Sequence, residues 1–230
     1  MKTKAKFPGS SSKNCFYSDV RQKVNLHFSS NNIGTHANAA MWFKTILFLT
    51  TGLIIYLIIL LVPLNLSLLA VLVISLGACC AFIGFNICHD AIHGSFSKHK
   101  EVNKMFSFVF NLVGANPYVW NITHNIVHHT YTNIPGHDED IEVAPGLIRI
   151  SENDELKKYQ RYQQFYAFAL YSLASLSWVL RKDYKKFFQS HVGMHENKHP
   201  PKEYFKLFFY KALYYFLFIG LPILIMSVAW

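Results

Sequence analysis

Five histidines in two short stretches are the residues of this sequence whose types and spacing best suit chemistry. His89 and His93 stand four positions apart, as do His124 and His128, and His129 follows directly. In a helix, residues four apart lie one above the other on one face, so each pair presents two imidazoles side by side. His129 would point about 100° away from His128 and reach a different partner. Imidazoles converging from two helices predict a metal site, and two clusters indicate more than one ion.

A chance origin explains one such pair but not the whole set. Five histidines in two neighbouring stretches are hard to explain as packing, because buried imidazoles need hydrogen-bond partners. Imidazole suits iron, copper and zinc, whereas carboxylate-rich sites suit magnesium and calcium. Neutral histidines supply few negative charges, so a bound metal pair would stay electron-poor, which favours oxidising chemistry.

The elements that carry these histidines are predicted to be membrane helices. Of the 230 residues, 52% are hydrophobic and 15% charged, and the apolar residues are gathered into blocks. Residues 45–62 and 66–85 each approach the length of about 20 residues that crosses a bilayer, and the turn between them permits only a hairpin. Residues 207–230 form the third predicted span, and we expect Lys211 to extend from it to the cytoplasmic surface. The fold class is therefore an all-α, polytopic integral membrane protein.

The distribution of charge predicts the orientation of these spans. The net charge is +9, but Lys and Arg flank the apolar blocks instead of forming a basic stripe, so no nucleic-acid partner is expected. Residues 1–40 form a polar arm, predicted to be cytoplasmic and partly disordered, and residues 41–230 form the membrane domain. Basic residues ahead of the first span place the arm in the cytoplasm. The second span then returns there and delivers His89 at the membrane surface.

Two shorter apolar segments are predicted to lie along the membrane. Residues 104–116 are too short to span and are typical of an interfacial or re-entrant helix. Residues 165–180 are also short, and a crossing there would put the following basic loop outside, against the positive-inside rule. We therefore expect an interfacial helix, with a true crossing as the alternative. This arrangement keeps both histidine clusters on one cytoplasmic face.

The histidine stretches carry a family resemblance. The segment His89-Asp90-Ala91-Ile92-His93-Gly94 resembles the first histidine box of membrane fatty acid desaturases. Residues 124–133 resemble the second box with its Tyr-Thr-Asn tail, and residues 134–141 are similar to bacterial members related to linoleoyl-CoA and front-end acyl desaturases. The resemblance implies two irons (a diiron centre), activation of O2 and removal of two hydrogens from an acyl chain. Its implied iron ligands are His89, His93, His124, His128 and His129.

The resemblance also implies partners and a location. The substrate would be a fatty acyl-CoA or an acyl-lipid, within membrane lipid, and the setting a bacterial inner membrane. Electrons would come from a separate protein, ferredoxin or cytochrome b5, since no His-Pro-Gly-Gly haem-binding signature occurs in the N-terminal arm.

Several polar and aromatic residues are predicted to support the ligands. Asp90 is expected to orient a ligand histidine through a hydrogen bond, and Asn125 to do the same or to hold a water molecule. Asp138 fits the family pattern together with His137 and Asp140, and a solvated loop is the alternative. Two aromatic residues are expected to line the acyl channel or to lie in the interfacial aromatic belt, namely Trp120 and Tyr131.

One feature of the family pattern has no match. The third box has the form Gln-x-x-His-His, and this sequence contains none. The segment from His191 to His195 has suggestive spacing, but it precedes the last predicted span, and loop histidines in solvent are the favoured interpretation. The expectation is a desaturase that ends before its fourth span and third box. The alternatives are an alkyl-chain hydroxylase with the same kind of centre and an inactive membrane metal-binding remnant.

Overall fold

The structure is a computed structural model that describes residues 16–141, 144, 146–152 and 154–226. Within these residues the chain is almost entirely helical, in agreement with the predicted fold class. The helices in chain order are α1 (Phe16–Ser30), α2 (Ala39–Leu61), α3 (Leu66–Ile92), α4 (Lys100–Leu112), α5 (residues 117–131), α6 (Gln163–Ser172), α7 (residues 174–188) and α8 (Pro201–Ile225). A 3-10 turn, Lys158–Tyr162, precedes α6, and strands β1 (His191–Val192) and β2 (His195–Glu196) pair antiparallel.

Helices α2, α3 and α8 are each long and apolar enough to cross a membrane. They correspond to the three predicted spans, although their ends differ. Helix α2 begins at Ala39, where the Asn38 side chain accepts a hydrogen bond from the Met41 backbone N–H and so caps the helix. Helix α3 does not end at residue 85 but continues through the first histidine stretch. Helix α8 begins at Pro201, and the last predicted positions, 227–230, lie outside the described residues.

The outward faces of the three long helices are apolar and exposed. Leu53, Ile74 and Leu224, for example, are 58%, 73% and 73% exposed. An apolar face of this extent is costly in water and favourable against lipid. The exposure therefore agrees with the membrane placement of these helices.

The buried core lies at the histidine end of α3. Helix α4 packs Phe106 and Phe110 against Ile87 and Cys88, which are fully buried, and Trp120 of α5 joins them. Asn116 caps α5, since its side chain accepts a hydrogen bond from the Val119 N–H. The core therefore joins the two histidine-bearing helices through α4.

The predicted interfacial segment at residues 165–180 and part of the N-terminal arm form helices of their own. Residues 165–180 divide at Leu173 into α6 and α7, so no single helix of spanning length runs through them. Their interfacial position stays a prediction. Residues 16–30 of the predicted arm form α1, and residues 1–15 lie outside the described residues, so partial disorder of the arm stays a prediction.

The predicted surface position of Lys211 is wrong. Lys211 is 3% exposed, and its Nζ lies 2.8 Å from Asp183 Oδ2 of α7 and 2.8 Å from the Gly114 carbonyl oxygen. Asp183 is 1% exposed and also accepts hydrogen bonds from the Asn116 N–H and from Trp178 Nε1. Lys211 stays inside because these oxygens replace the water that its ammonium group would otherwise seek. This ion pair fastens α8 to α7 and to the turn before α5.

Candidate metal site

Both histidine stretches adjoin π-helical turns, in which hydrogen bonds join residues five apart: one turn ends just before His89, and the other contains His124 and His128. The His89 N–H donates to the Gly84 carbonyl at the end of the turn Ile83–Cys88. The His129 N–H donates to the His124 carbonyl at the end of the turn Asn121–His128. Such turns insert an extra residue into a helix and occur often at functional sites. They rotate the histidines relative to a regular 3.6-residue helix.

The five predicted ligands form one cluster of rings. Within the first pair, the ring centroids of His89 and His93 are 4.5 Å apart, and within the second pair those of His124 and His128 are 4.9 Å apart. Between the helices, His93 lies 4.9 Å from His129 and 5.4 Å from His124. The structure therefore brings all five side chains together from α3 and α5.

Three of the five already have the spacing of a metal site. The candidate ligand atoms of His89, His93 and His124 all lie within 4.8 Å of one another. The His129 ring lies 4.7 Å from the His124 ring and the His128 ring 5.5 Å from the His129 ring, so they extend the cluster on one side. The arrangement can hold an ion at the first three rings and offers further imidazoles beside it.

Carboxylates hold three of the rings from behind. His89 Nδ1 lies 3.1 Å from Asp90 Oδ1, and His128 Nδ1 lies 2.8 Å from Asp138 Oδ2, with Asp138 fully buried. His124 Nδ1 lies 3.1 Å from Asp140 Oδ2. A carboxylate at Nδ1 keeps the proton there and leaves the Nε2 lone pair for a metal.

Asp140 and Asn125 make contacts that the sequence did not predict. The sequence indicates Asp140 only as a member of the family pattern, yet it contacts His124 as directly as Asp138 contacts His128. The Asn125 amide instead donates to the Ile92 carbonyl, at 3.2 Å, and to Asn121 Oδ1, at 2.8 Å. Its Oδ1 is buried and accepts no hydrogen bond from the described protein atoms. Asn125 therefore links α5 to the end of α3.

Trp120 forms one wall of the cluster. Its ring stacks on His124 at a centroid distance of 4.2 Å and lies 5.4 Å from His89. At 7% exposure it is too buried for an interfacial belt, so that alternative is wrong. Tyr131 is equally buried and packs with Val127 and Val192. The sequence signal for the part played by Trp120 was its position four residues before His124, which places both on one helix face.

The pKa shifts favour neutral imidazoles. Burial, together with the neighbouring His89, His129 and His124, lowers the pKa of His93 from 6.5 to about 4, and Asp90 only partly opposes this shift. Burial and the same kind of crowding also lower the pKa of His129. A neutral ring binds a metal without first losing a proton.

Asp140 stays ionised beside these rings. Burial alone would raise the pKa of its carboxyl, but the hydrogen bond with His124 and the charge of Lys182 outweigh burial and lower it. An ionised Asp140 can accept the Nδ1 proton of His124, as the tautomer suited to metal binding requires.

The segment His191–His195 does not join the cluster. It contains β1, the turn and the first residue of β2, with Val192 buried against α5 and His191 exposed. The described residues that meet the metal-site spacing are His89, His93 and His124, without His191 or His195.

Fold and site together define a predominantly helical membrane protein with a histidine-rich candidate metal site. Residues 65–230 match the sequence model of fatty acid desaturases, so this chain belongs to the fatty acid desaturase family. No solved structure matches the chain.

Individual relatives agree with the family. The chain is 34% identical over 146 residues to the sn-1 linoleoyl-lipid 6-desaturase of Arthrospira platensis, covering 63% of this chain and 39% of the relative. It is 30% identical over 138 residues to the protein of the same name from Synechocystis sp., covering 59% and 38%. It is 28% identical over 209 residues to an acyl-lipid (8-3)-desaturase of Physcomitrium patens, covering 90% and 44%. The chain thus spans less than half the length of these relatives.

Proposed function

We propose that this protein is an oxidoreductase that introduces a double bond into a fatty acyl chain, using O2 and a diiron centre. The observation that carries the proposal is the convergence of five imidazoles, three of them held at Nδ1 by carboxylates, in a chain of the desaturase family. The proposed iron ligands are His89, His93, His124, His128 and His129.

The donor set fits iron. Imidazole nitrogen is a common iron ligand, and the lowered pKa values of His93 and His129 keep those nitrogens unprotonated at neutral pH. Carboxylates behind His89, His124 and His128 fix the ring orientation. Bound iron supplies the activation of O2, which acyl C–H bonds require because they offer no acid–base handle.

The protein's own residues hold the site in place and keep water from one side. Trp120 covers the cluster beside His124, and the buried side chains of Ile87 and Phe110 lie beyond it. Asp90, Asp138 and Asp140 retain the Nδ1 protons, so every supported ring presents the same nitrogen. The proposed contribution of the fold is therefore orientation and exclusion of water, while the metal supplies the oxidising chemistry.

The relatives support a lipid-linked substrate. They are named as desaturases of linoleoyl-lipid or acyl-lipid, and an apolar chain reaches this protein most directly from the bilayer. An acyl-lipid is the proposed substrate and an acyl-CoA its alternative. The proposed electron donor is a separate ferredoxin or cytochrome b5.

The proposed orientation follows the charge pattern. The N-terminal arm and both histidine stretches face the cytoplasm of a bacterial inner membrane, since the basic residues lie on that side of the spans.

Iron content and product analysis test this function. The full chain is purified without oxygen, its iron is measured by mass spectrometry, and membranes containing it receive a deuterated acyl-lipid, O2 and reduced ferredoxin. We expect two irons per chain and a product with a double bond. A retained alcohol would instead identify a hydroxylase.

Variants connect the iron to the cluster. His93→Ala and His124→Ala should lose iron and product, whereas His99→Ala, at an exposed position ahead of α4, should keep both. Clearly fewer than two irons in the unaltered chain would reject the diiron centre.

A further inference from the structure

The loop after α5 carries three consecutive acidic residues, Asp138, Glu139 and Asp140. The first and third contact the histidine cluster, and the second contacts a different part of the fold. Asp138 and Asp140 bond to His128 and His124, as described above. Glu139, between them, makes none of these contacts. Its carboxylate meets α7 and the β-hairpin instead. The loop therefore lies between the histidine cluster and a second set of polar groups.

Glu139 is held by three donors from α7 and the hairpin. Its Oε1 accepts a hydrogen bond from the Gly193 backbone N–H at 2.9 Å. Its Oε2 accepts one from Gln189 Nε2 at 3.2 Å and forms an ion pair with Lys186 Nζ. Lys186 is 8% exposed. Burial lowers its pKa to about 8, so the ammonium group remains charged at pH 7 and needs this partner.

A second lysine of α7 reaches the same loop one turn earlier. Lys182 Nζ lies 3.5 Å from Asp140 Oδ1, the oxygen that does not face His124. It also lies 5.0 Å from the centroid of the Trp178 ring. Helix α7 therefore contacts two successive residues of the acidic loop: Lys186 pairs with Glu139, and Lys182 pairs with Asp140.

The hairpin supports the loop by close contact. Gly193 has a φ of +55°, and a Cβ added there would lie 2.5 Å from the His137 carbonyl oxygen and 2.9 Å from Val127 Cγ1. Only glycine permits this approach of two backbones. The turn therefore packs closely against His137, which precedes Asp138, and against Val127 of α5.

We infer that Glu139 and Lys186 are positioning residues of the metal site. By fixing the middle of the acidic loop, they hold Asp138 and Asp140 at the Nδ1 atoms of His128 and His124. The segment with the suggestive His191–His195 spacing then contributes a backbone N–H to this support rather than metal ligands. This inference rests on the proposed metal site and deepens it, since it names what fixes the orientation of two ligands.

Release of the acidic loop would change the histidine tautomers, which a loss of fold stability alone would not do. If Glu139 releases the loop, His128 and His124 lose the acceptor that keeps the proton on Nδ1. Their neutral rings then divide between the two tautomers, and the nitrogen that faces the metal is no longer fixed.

Two measurements on the full chain in lipid nanodiscs test the inference. Nitrogen NMR of the metal-free chain reads the tautomer of each histidine ring, and a titration with Co²⁺, followed by its absorption, reads metal affinity. Glu139→Gln and Lys186→Met should mix the tautomers at His124 and His128 and weaken Co²⁺ binding about tenfold. Lys186→Arg keeps the ion pair and should restore both readings. Glu101→Gln, in the exposed pair with Lys104, is the matched control and should change neither.

One more variant separates positioning from general loss of stability. Lys182→Met removes the cation beside Asp140 only, so it should alter His124 and leave His128 unchanged. Equal changes at both rings, or unaltered tautomers in Glu139→Gln, would overturn the inference. Failure of the unaltered chain to bind Co²⁺ would reject the metal site, while the tautomers of the metal-free chain would still decide the positioning.

Discussion

At the scale of single residues, the carboxylates are as informative as the histidines. A free imidazole has two nitrogens and can turn either toward a metal. Here Asp90, Asp138 and Asp140 each take one Nδ1, so the choice is made before any metal binds. Asp138 makes the most hydrogen bonds of the three, because it also accepts from the backbone N–H groups of Asn133 and Asp140.

Replacement of Asp138 should therefore weaken metal binding strongly. In Asp138→Asn, only one oxygen remains to serve His128 and two backbone N–H groups, and the NH2 group faces another donor. We expect the affinity for Co²⁺ to fall about 10- to 100-fold. Asp19→Asn, on the exposed helix α1, is the control. Unchanged affinity in Asp138→Asn would show that this contact does not support a ligand.

The imidazole of His93 should titrate at unusually low pH in the metal-free chain. Folding lowers its pKa from 6.5 to about 4, because of burial and then the neighbouring histidines. Between these values the unfolded chain binds a proton that the folded chain does not, so acidification destabilises the fold across this window. Histidine NMR, with the signal assigned through His93→Gln, measures the midpoint. A midpoint at 6.5 or above would contradict the prediction.

At the scale of elements, turns and interhelical contacts set the register of the histidine-bearing helices. Helix α3 carries the first stretch on its own last turns, whereas α5 reaches its place through the turn at residues 113–116. Gly114 in that turn has a φ of +95°, and its carbonyl accepts a hydrogen bond from Lys211. The third long helix is thus tied to the start of the second histidine stretch.

A side chain at Gly114 should destabilise the protein. A Cβ there would lie 2.8 Å from Val179 Cγ2 and 2.9 Å from Tyr214 Cε2, in a backbone conformation that L-residues rarely adopt. We expect Gly114→Ala to lower the free energy of unfolding by about 2 kcal/mol. Gly34→Ala, where no atom lies within 4 Å of the added Cβ, is the control. Thermal unfolding in detergent measures both, and equal midpoints would contradict the steric argument.

Removal of the Lys211 ammonium group should cost more. Lys211→Met leaves the Asp183 carboxylate buried without its cation, which costs roughly 3–5 kcal/mol in comparable buried pairs. The matched control is Lys104→Met, because its pair with Glu101 is exposed and should contribute little. If both variants unfold at the same temperature, the buried pair does not stabilise the fold.

At the scale of the whole molecule, three long apolar helices leave both histidine stretches on one side. Helices α2 and α3 form a hairpin around the turn at residues 62–65, and α3 brings its histidines back to the side from which α2 started. A backbone hydrogen bond from the Ala37 N–H to the Phe96 carbonyl also joins the segment before α2 to the segment after α3. Apolar surface faces outward and the polar cluster lies at one end.

Labelling of introduced cysteines in intact cells tests this topology. With Cys15 replaced by serine, Leu64→Cys should react with an impermeant maleimide from outside, because it lies in the α2–α3 turn. His99→Cys should react only after the cells are opened, since it lies on the histidine side. Reaction of both from the same side would contradict the hairpin.

The three spans, the two histidine stretches and the family resemblance could be predicted from the sequence. Each of these rests on local information, namely apolar length and the spacing of residues along one helix. The family match and the three long apolar helices confirm this level of description. The ligand assignment at His89, His93, His124, His128 and His129 remains a proposal that the clustering supports.

Beyond Asp90 and Asp138, the groups that hold those histidines follow from how the helices pack, which the sequence does not show. Lys211 faces inward because Asp183, 28 positions earlier in the numbering, lies 2.8 Å away. Asp140 contacts His124, and Glu139 accepts a hydrogen bond from Gly193. Neither contact could be predicted from the spacing of these residues along the chain. Hydrogen bonds and ion pairs between distant segments depend on how the helices pack. The helical period predicts the face of the helix on which a residue lies. Which residues contact that face depends on how the helices pack.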